Sequence, residues 1–544
     1  MVRAVAAGPR HLPVCHLLFR KGPGDSGRLL QPQLTTGSRF HVHMKGPEVN
    51  ADTAFPPIDW NGRRKYRVSL MELEPESAER EGGLKRELSS WQQSMIAIGG
   101  TIGVGLFLGS GATIGLAGPG VVLTYLIAAL PAIAMGFVLA EMATVHPVAG
   151  SFGVYGDIYI GRWAGFATRL SYWFAETLAI GAQLTAVGVY FGFWFPEVPA
   201  FLFMVGAALI AIAVNALHVG RFGSLESALS MIKVSAIVGF IVAGAALIFD
   251  IGGVGSREAI GLSNLTADGG LFPNGATGVW LALTLVITSY LGMETVAVTA
   301  GEANRPEKTV PRALLGTAAA LTVLYVLSIG VIVTMSPWRG ISETSGTLTG
   351  SPFVAAFESI GVPYASSLMN FVVISAAFTA VMSHLYICTR MLFSLSRAGY
   401  APAAVGAVDR RGVPLRALAG SAVGMVIALA LAARGRQVFL PMYGTAVAAL
   451  LSIWLLIFVC HFRFRRRLGP ERLAALPVRV PLHPLPGIVG IALILACLAA
   501  TPWVSGLEWT VPMFLVWLGV IGVVYLARFA GSRALGETTS HDYD

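Results

Sequence analysis

Long apolar runs separated by short polar segments repeat along the chain from about residue 92 to about residue 528. Each is about 20 residues or longer, enough at 1.5 Å per residue to cross a hydrocarbon core of about 30 Å. The pattern predicts twelve helical spans, at roughly 92–116, 119–145, 162–191, 199–219, 225–249, 277–300, 313–336, 361–390, 414–433, 438–461, 485–503 and 508–528. The fold class is therefore an all-α polytopic membrane protein. A membrane β-barrel is excluded, because its strands would be about ten residues long and alternate in polarity.

Composition sharpens this picture. Of 544 residues, 55% are hydrophobic and only 12% charged, about half the share usual in soluble domains. The net charge of +9 does not point to nucleic acid, because the basic residues sit mainly between apolar runs, where they orient helices. With a cytoplasmic N-terminus, the inside segments after the first span hold about 18 Lys and Arg, against Arg257, Arg339, Arg434 and Arg436 outside. Both termini are expected in the cytoplasm. The four cysteines, Cys15, Cys388, Cys460 and Cys497, are too scattered for a disulfide framework or a metal pattern.

Residues 1–85 are rich in Gly, Pro, Arg and His and are expected to be a disordered cytoplasmic extension. Met71 opens a compact charged segment before the first span. Met1, Met44 and Met71 are all open as starts, and the expectation is that residues 1–70 precede the natural one. Residues 86–530 form the transmembrane domain, and residues 531–544 a cytoplasmic tail.

The first span begins "IGGTIGVGLF", with Gly99, Gly100, Gly103 and Gly105 close together. Each interior Gly costs about 1 kcal/mol relative to Ala. Two readings compete. In one, Gly99 with Gly103, and Gly105 with Gly109, are G-x-x-x-G faces for close helix packing. In the other, the helix is broken and its free backbone groups line a polar cavity. Inverted-repeat transporters carry a second broken helix at the matching place in the other half. With ten spans split into two fives, that place is the sixth span, "ITSYLGMETVAVTAGEA", where Gly292 lies beside Tyr290 and near a carboxylate, Glu294, inside an apolar run. A charge there is costly and normally marks function.

Four stretches carry a resemblance: "IGGTIGVGLFLGSG…AGPG", "EMATVHPVAGSF", "YLGMETVAVTAGEANRPEKTVPRA" and "TRMLFSLSRAGYAP". In this order they resemble the amino acid permeases of the amino acid–polyamine–organocation superfamily, and more narrowly the bacterial amino acid transporter family. The resemblance runs from about residue 84 to the C-terminus. It implies a leucine-transporter-like five-plus-five inverted repeat, with repeats at about 92–249 and 277–461 and two extra helices at about 485–528. It also implies a substrate site between the breaks of spans one and six. There the N–H groups of Gly103, Val104 and Gly105 would hold an amino acid's carboxylate at a helix N-terminus, with Thr101 adding a hydroxyl. Carbonyls near Tyr290, Leu291 and Gly292 would accept from its ammonium.

Lys233 lies about 12 Å into the fifth span. It reads either as a snorkelling lysine or, by the resemblance, as a residue standing where sodium sits in sodium-coupled relatives. It would then tie span five to carbonyls of span one and to a hydroxyl of span eight, Ser375 or Thr379. Burial disfavours a charged lysine, so the resemblance makes Lys233 the proton-coupling residue. Glu294 would hold the sixth-span break or carry a proton. Glu141 reads as a structural or gating residue, and Glu302 as part of a solvated loop or a cytoplasmic gate. The chain departs from its relatives in carrying Gln183 where many have an acid, with Glu176 two turns earlier, and in His384 of span eight. Glu176 could replace the missing charge, pair with Arg169, or select a cationic side chain. His384 could be a satisfied interior histidine or a proton relay.

These features imply a secondary active importer of an amino acid, driven by protons across the cytoplasmic membrane, with the bilayer, the amino acid and protons as partners. An amino acid or amine exchanger is the alternative, and a transporter-like amino acid sensor a third. No P-loop and no hydrolase or metalloprotease motif appears in the sequence, so no ATPase engine, enzyme activity, metal or cofactor is expected. The substrate's identity and the oligomeric state stay open.

Overall fold

The computed structural model describes residues 83–251, 260–344, 351–354, 364–432 and 436–529. The expected extension up to residue 82, with Cys15 and the three candidate starts, and the tail 531–544 lie outside the described residues.

The described residues are helical, with one isolated bridge between Leu88 and Ala303 and no strand among them. Ser89 opens the first helix, α1 (Ser90–Thr101), by a capping box with Gln92, which satisfies backbone N–H groups that a helix start leaves orphaned. A π-helical turn, Gly105–Gly109, leads into α2 (Ser110–Ala117). Gly118 ends it at φ +62° before Pro119, the positive φ that glycine supplies without strain. Then come α3 (Val121–Ala143), α4 (Ser151–Tyr159), α5 (Arg162–Phe191), α6 (Ala200–Asn215) and α7 (Val219–Ile248). They are followed by α8 (Gly275–Val286), the short α9 (Thr295–Val298), α10 (Pro306–Met335), α11 (Trp338–Thr344) and α12 (Ala365–Arg397). The chain closes with α13 (Leu415–Ala432), α14 (Arg436–Ala474), α15 (Leu485–Ala500) and α16 (Thr510–Phe529).

Ten helical segments among the described residues are long and apolar enough to cross a membrane. The fourth expected span, 199–219, is α6, with only 16 residues. The first is interrupted after Thr101, and its second part runs on with α3 as Ser110–Ala143. Periodicity alone does not show α4 or α11. The apolar core runs through the bundle as one main cluster. The most buried spans are Gly275–Glu302 and Ser367–Arg397 (each 83%), while Thr510–Phe529 is mostly exposed (17% buried). Cys388, Cys460 and Cys497 are buried free thiols.

Candidate functional site

The first helix stops where its glycines cluster. Ile102 leaves the α region at ψ 79°, and Gly103 N–H turns back to Thr101 O at 3.0 Å. A broken helix strands carbonyls that must find donors elsewhere. Lys233 supplies them: its Nζ donates to Gly99 O (2.7 Å) and Ile102 O (2.9 Å). The third donation goes to Thr379 Oγ1 at 2.8 Å. Of the two hydroxyls expected from span eight, Thr379 is the one in contact. Ser375 instead donates to Val372 O, 2.8 Å away within its own helix.

Beyond the break, Val104 N–H donates to Gln183 Oε1 at 3.3 Å, and the Gln183 amide fills the space a Gly103 side chain would need. Gly99 is equally confined, by Glu226, Ser230 and Ser383. Among the described residues, a Cβ on Gly105 or Gly109 would meet nothing within 4 Å. The competing readings of the glycines thus divide by position. Gly99 and Gly103 are packed closely and flank the break, while at Gly105 and Gly109 no described residue packs where a Cβ would be.

The sixth span breaks as well. A 3₁₀ turn, Ile287–Tyr290, ends at Leu291, whose ψ of 136° turns the chain out of the helix. Gly292 follows at φ +108°, a conformation that disfavours any side chain. Glu294 folds back to accept Gly292 N–H at 2.9 Å, and its other oxygen accepts from Tyr172 O–H at 3.0 Å. A Cβ on Gly292 would meet Thr101 Oγ1 at 2.8 Å, so the two breaks touch there. Thr101 Oγ1 is buried without a hydrogen-bond partner. The Tyr290 ring turns away, its hydroxyl donating to Tyr125 O at 3.1 Å, and Tyr290 O takes only a long bond from Met293 N–H, 3.4 Å.

The departures in spans three and eight meet each other. His384 Nδ1 hydrogen-bonds Glu176, and both side chains are buried. The expected option of a Glu176–Arg169 pair is ruled out: Arg169 is bound to Asp157 (2.6 Å) and Ser394 (2.6 Å). The sequence places Arg169 and Glu176 on one helix face but does not show that Asp157, on α4, folds against it. Glu302, expected in a solvated loop or a cytoplasmic gate, is not solvated: it is only 1% exposed and pairs with Arg390 (2.9 Å) and Tyr386. Glu141 pairs with His461 and with Arg465, at 3.3 Å from the latter. His146, in the turn after α3, hydrogen-bonds Tyr159 O–H at 2.8 Å. Burial lowers its pKa from 6.5 to about 4 and keeps it neutral.

Sequence reading passed over Glu226. It lies seven residues before Lys233 on α7 and is 0% exposed. A carboxylate two turns from a lysine inside an apolar helix was the available signal. Among the described residues no group of three or more His, Cys, Asp and Glu side chains is placed to hold a metal ion.

The sequence model of a family described as amino acid permease matches residues 92–531. Over 447 residues the chain is 36% identical to the uncharacterized amino acid permease YtnA of Bacillus subtilis, covering 82% of this chain and 95% of that one. It is 35% identical to the aromatic amino acid transport protein AroP of Escherichia coli K12 over 460 residues, 83% of this chain and 97% of that one. It is 34% identical to the gamma-aminobutyric acid permease of Bacillus subtilis over 447 residues, 82% and 94% of the two chains.

Proposed function

Because this chain belongs to the amino acid permease family, we propose that it imports an amino acid across the cytoplasmic membrane by proton symport with alternating access. Twelve spans, the first and sixth broken, then form two inverted repeats of five and two further helices. Both termini face the cytoplasm, in keeping with the placement of Lys and Arg.

The site lies where the breaks meet. The substrate carboxylate takes the N–H of Val104, displacing Gln183 Oε1, and reaches the open side of Gly105. Its ammonium binds span-six carbonyls around Leu291, with Thr101 Oγ1 as a further polar contact. Glu294 fixes Gly292 in its positive-φ turn, so the binding backbone is pre-organised. Glu176, already held by His384, is not free to receive a cation, which favours a substrate with an uncharged side chain. The relatives' names, aromatic amino acids in one and gamma-aminobutyric acid in another, span more than one class of amino acid.

The observation that carries the coupling is Lys233 on Gly99 O, Ile102 O and Thr379 Oγ1. As an ammonium it has three protons for these three acceptors. As a neutral amine it keeps two, so losing the proton releases one anchor between α1, α7 and α12. That couples the proton to the movement of the broken helix. The test is Lys233→Ala in proteoliposomes. The variant is expected to exchange labelled for unlabelled substrate yet fail to accumulate it against a gradient. Wild-type accumulation by Lys233→Ala would exclude Lys233 from coupling, and would favour an exchanger if the wild type also needs substrate preloaded inside.

A further inference from the structure

Behind Lys233 lies a second ionisable group for which the transport reading so far has no use. Helix α7 sets Glu226, Ser230 and Lys233 on one face, at i, i+4 and i+7. All three are 0% exposed. They converge on the same residue of the broken helix: Lys233 Nζ binds Gly99 O, while Glu226 Oε1, Ser230 Oγ and Ser383 Oγ crowd the place of a Gly99 Cβ. Only glycine lets the lysine and the carboxylate share this contact.

Two features of the cluster indicate a proton site. Glu226 Oε2 and Ser230 Oγ are buried with no hydrogen-bond partner, an arrangement native cores rarely keep without a use. Ser383 Oγ lies 3.0 Å from Ile96 O and 2.9 Å from Glu226 Oε1. A hydroxyl has one proton and can donate to only one of them. With Glu226 ionised, Ser383 donates to it. With Glu226 protonated, Glu226 donates to Ser383 and Ser383 donates to Ile96 O. The cluster can thus be bonded in either protonation state. Among the described residues, the groups that α1 and α12 bring into contact with Glu226 and Lys233 are uncharged: Gly99 O and Ile102 O from α1, Thr379 and Ser383 from α12.

We propose that Glu226 receives the proton that Lys233 gives up during transport and passes it toward the cytoplasmic end of α7. Lys233 Nζ, Ser230 Oγ and Glu226 make no hydrogen bond with one another in this state, so the transfer begins when Nζ turns from one of its three acceptors toward Glu226 Oε2 or Ser230 Oγ. The Nζ–H bond then breaks as the Glu226 O–H bond forms, with Ser230 giving up its own proton as it takes one where it relays. An ammonium and a carboxylate become an amine and a carboxylic acid, with no change in total charge and no oxidant or reductant. The acid then deprotonates toward the cytoplasm, about 10 Å nearer the helix start at 1.5 Å per residue. The inference rests on the reading of Lys233 as the coupling residue.

The test measures two rates in proteoliposomes, proton-driven accumulation and substrate exchange, and takes their ratio. Glu226→Gln is expected to lower the ratio about a hundredfold, the low end for loss of a positioned proton-transfer group, with partial recovery in Glu226→Asp. The wild-type protein should also show a carboxylic-acid infrared band that changes with pH and is absent from Glu226→Gln. A wild-type ratio in Glu226→Gln, with the ratio lost in Lys233→Ala, would overturn the Glu226 step and leave the Lys233 reading standing. A wild-type ratio in Lys233→Ala would overturn both. If Glu226→Gln does not fold, Ser383→Ala decides. Removing the hydroxyl that bridges Glu226 to Ile96 must shift the pH profile of accumulation, and an unshifted profile overturns the proposal.

Discussion

Glycines of similar appearance in the sequence have different jobs. Gly292 holds φ +108° with Thr101 Oγ1 2.8 Å from the place of its Cβ. Gly292→Ala is therefore expected to cost about 1–3 kcal/mol of strain and to lower the melting temperature along with uptake. A Cβ on Gly105 would meet no described residue within 4 Å, so Gly105→Ala should melt like the wild type yet weaken substrate affinity. Normal affinity in that variant would move the carboxylate site away from Gly105. The glycines themselves were plain in the sequence. Which of them were crowded depended on Glu226 and Gln183, side chains 127 and 80 positions away along the chain from Gly99 and Gly103. His146 sets a further expectation. Its value in the folded protein, about 4, lies below the ordinary 6.5, so its neutral form contributes stability above pH 6.5 that is lost as pH falls toward 4. Melting curves across that interval should show the loss, and His146→Gln should flatten it.

At the scale of elements, the breaks in the first and sixth spans do what a continuous helix cannot: they expose backbone groups in an apolar setting, where each needs a partner. Lys233, Gln183 and Glu294 supply three such partners. The span-one break was legible because four glycines crowd ten residues. The span-six break was legible mainly from its place in the order of spans. The pairings between elements were not legible. Glu176 and Arg169 share a helix face, yet each pairs with another helix, because a helical register shows which side chains are neighbours on one helix and not what packs against them. The buried Glu302–Arg390 pair joins the end of the sixth span to α12. Removing one partner leaves an uncompensated buried charge, so Arg390→Ala should cost about 3–5 kcal/mol. Removing both charges together should cost less, and a double-mutant cycle read by thermal unfolding checks this.

At the scale of the whole molecule, the all-helical membrane class followed from apolar run length alone, and most helix ends fall within a few residues of those the runs predict. The exceptions are informative. Helix α6, at 16 residues, is shorter than its apolar run, and α1 ends inside its run because backbone breaks override hydropathy. The proposed site for a zwitterion lies at these breaks, near the buried Lys233 and Glu226. The most direct measurement of that account is uptake of each common amino acid by wild-type proteoliposomes, with and without an imposed inward proton gradient and with a protonophore. The account predicts accumulation of amino acids with uncharged side chains, driven by the gradient and lost with the protonophore. Uptake that ignores the gradient and depends on amino acid preloaded inside would contradict it.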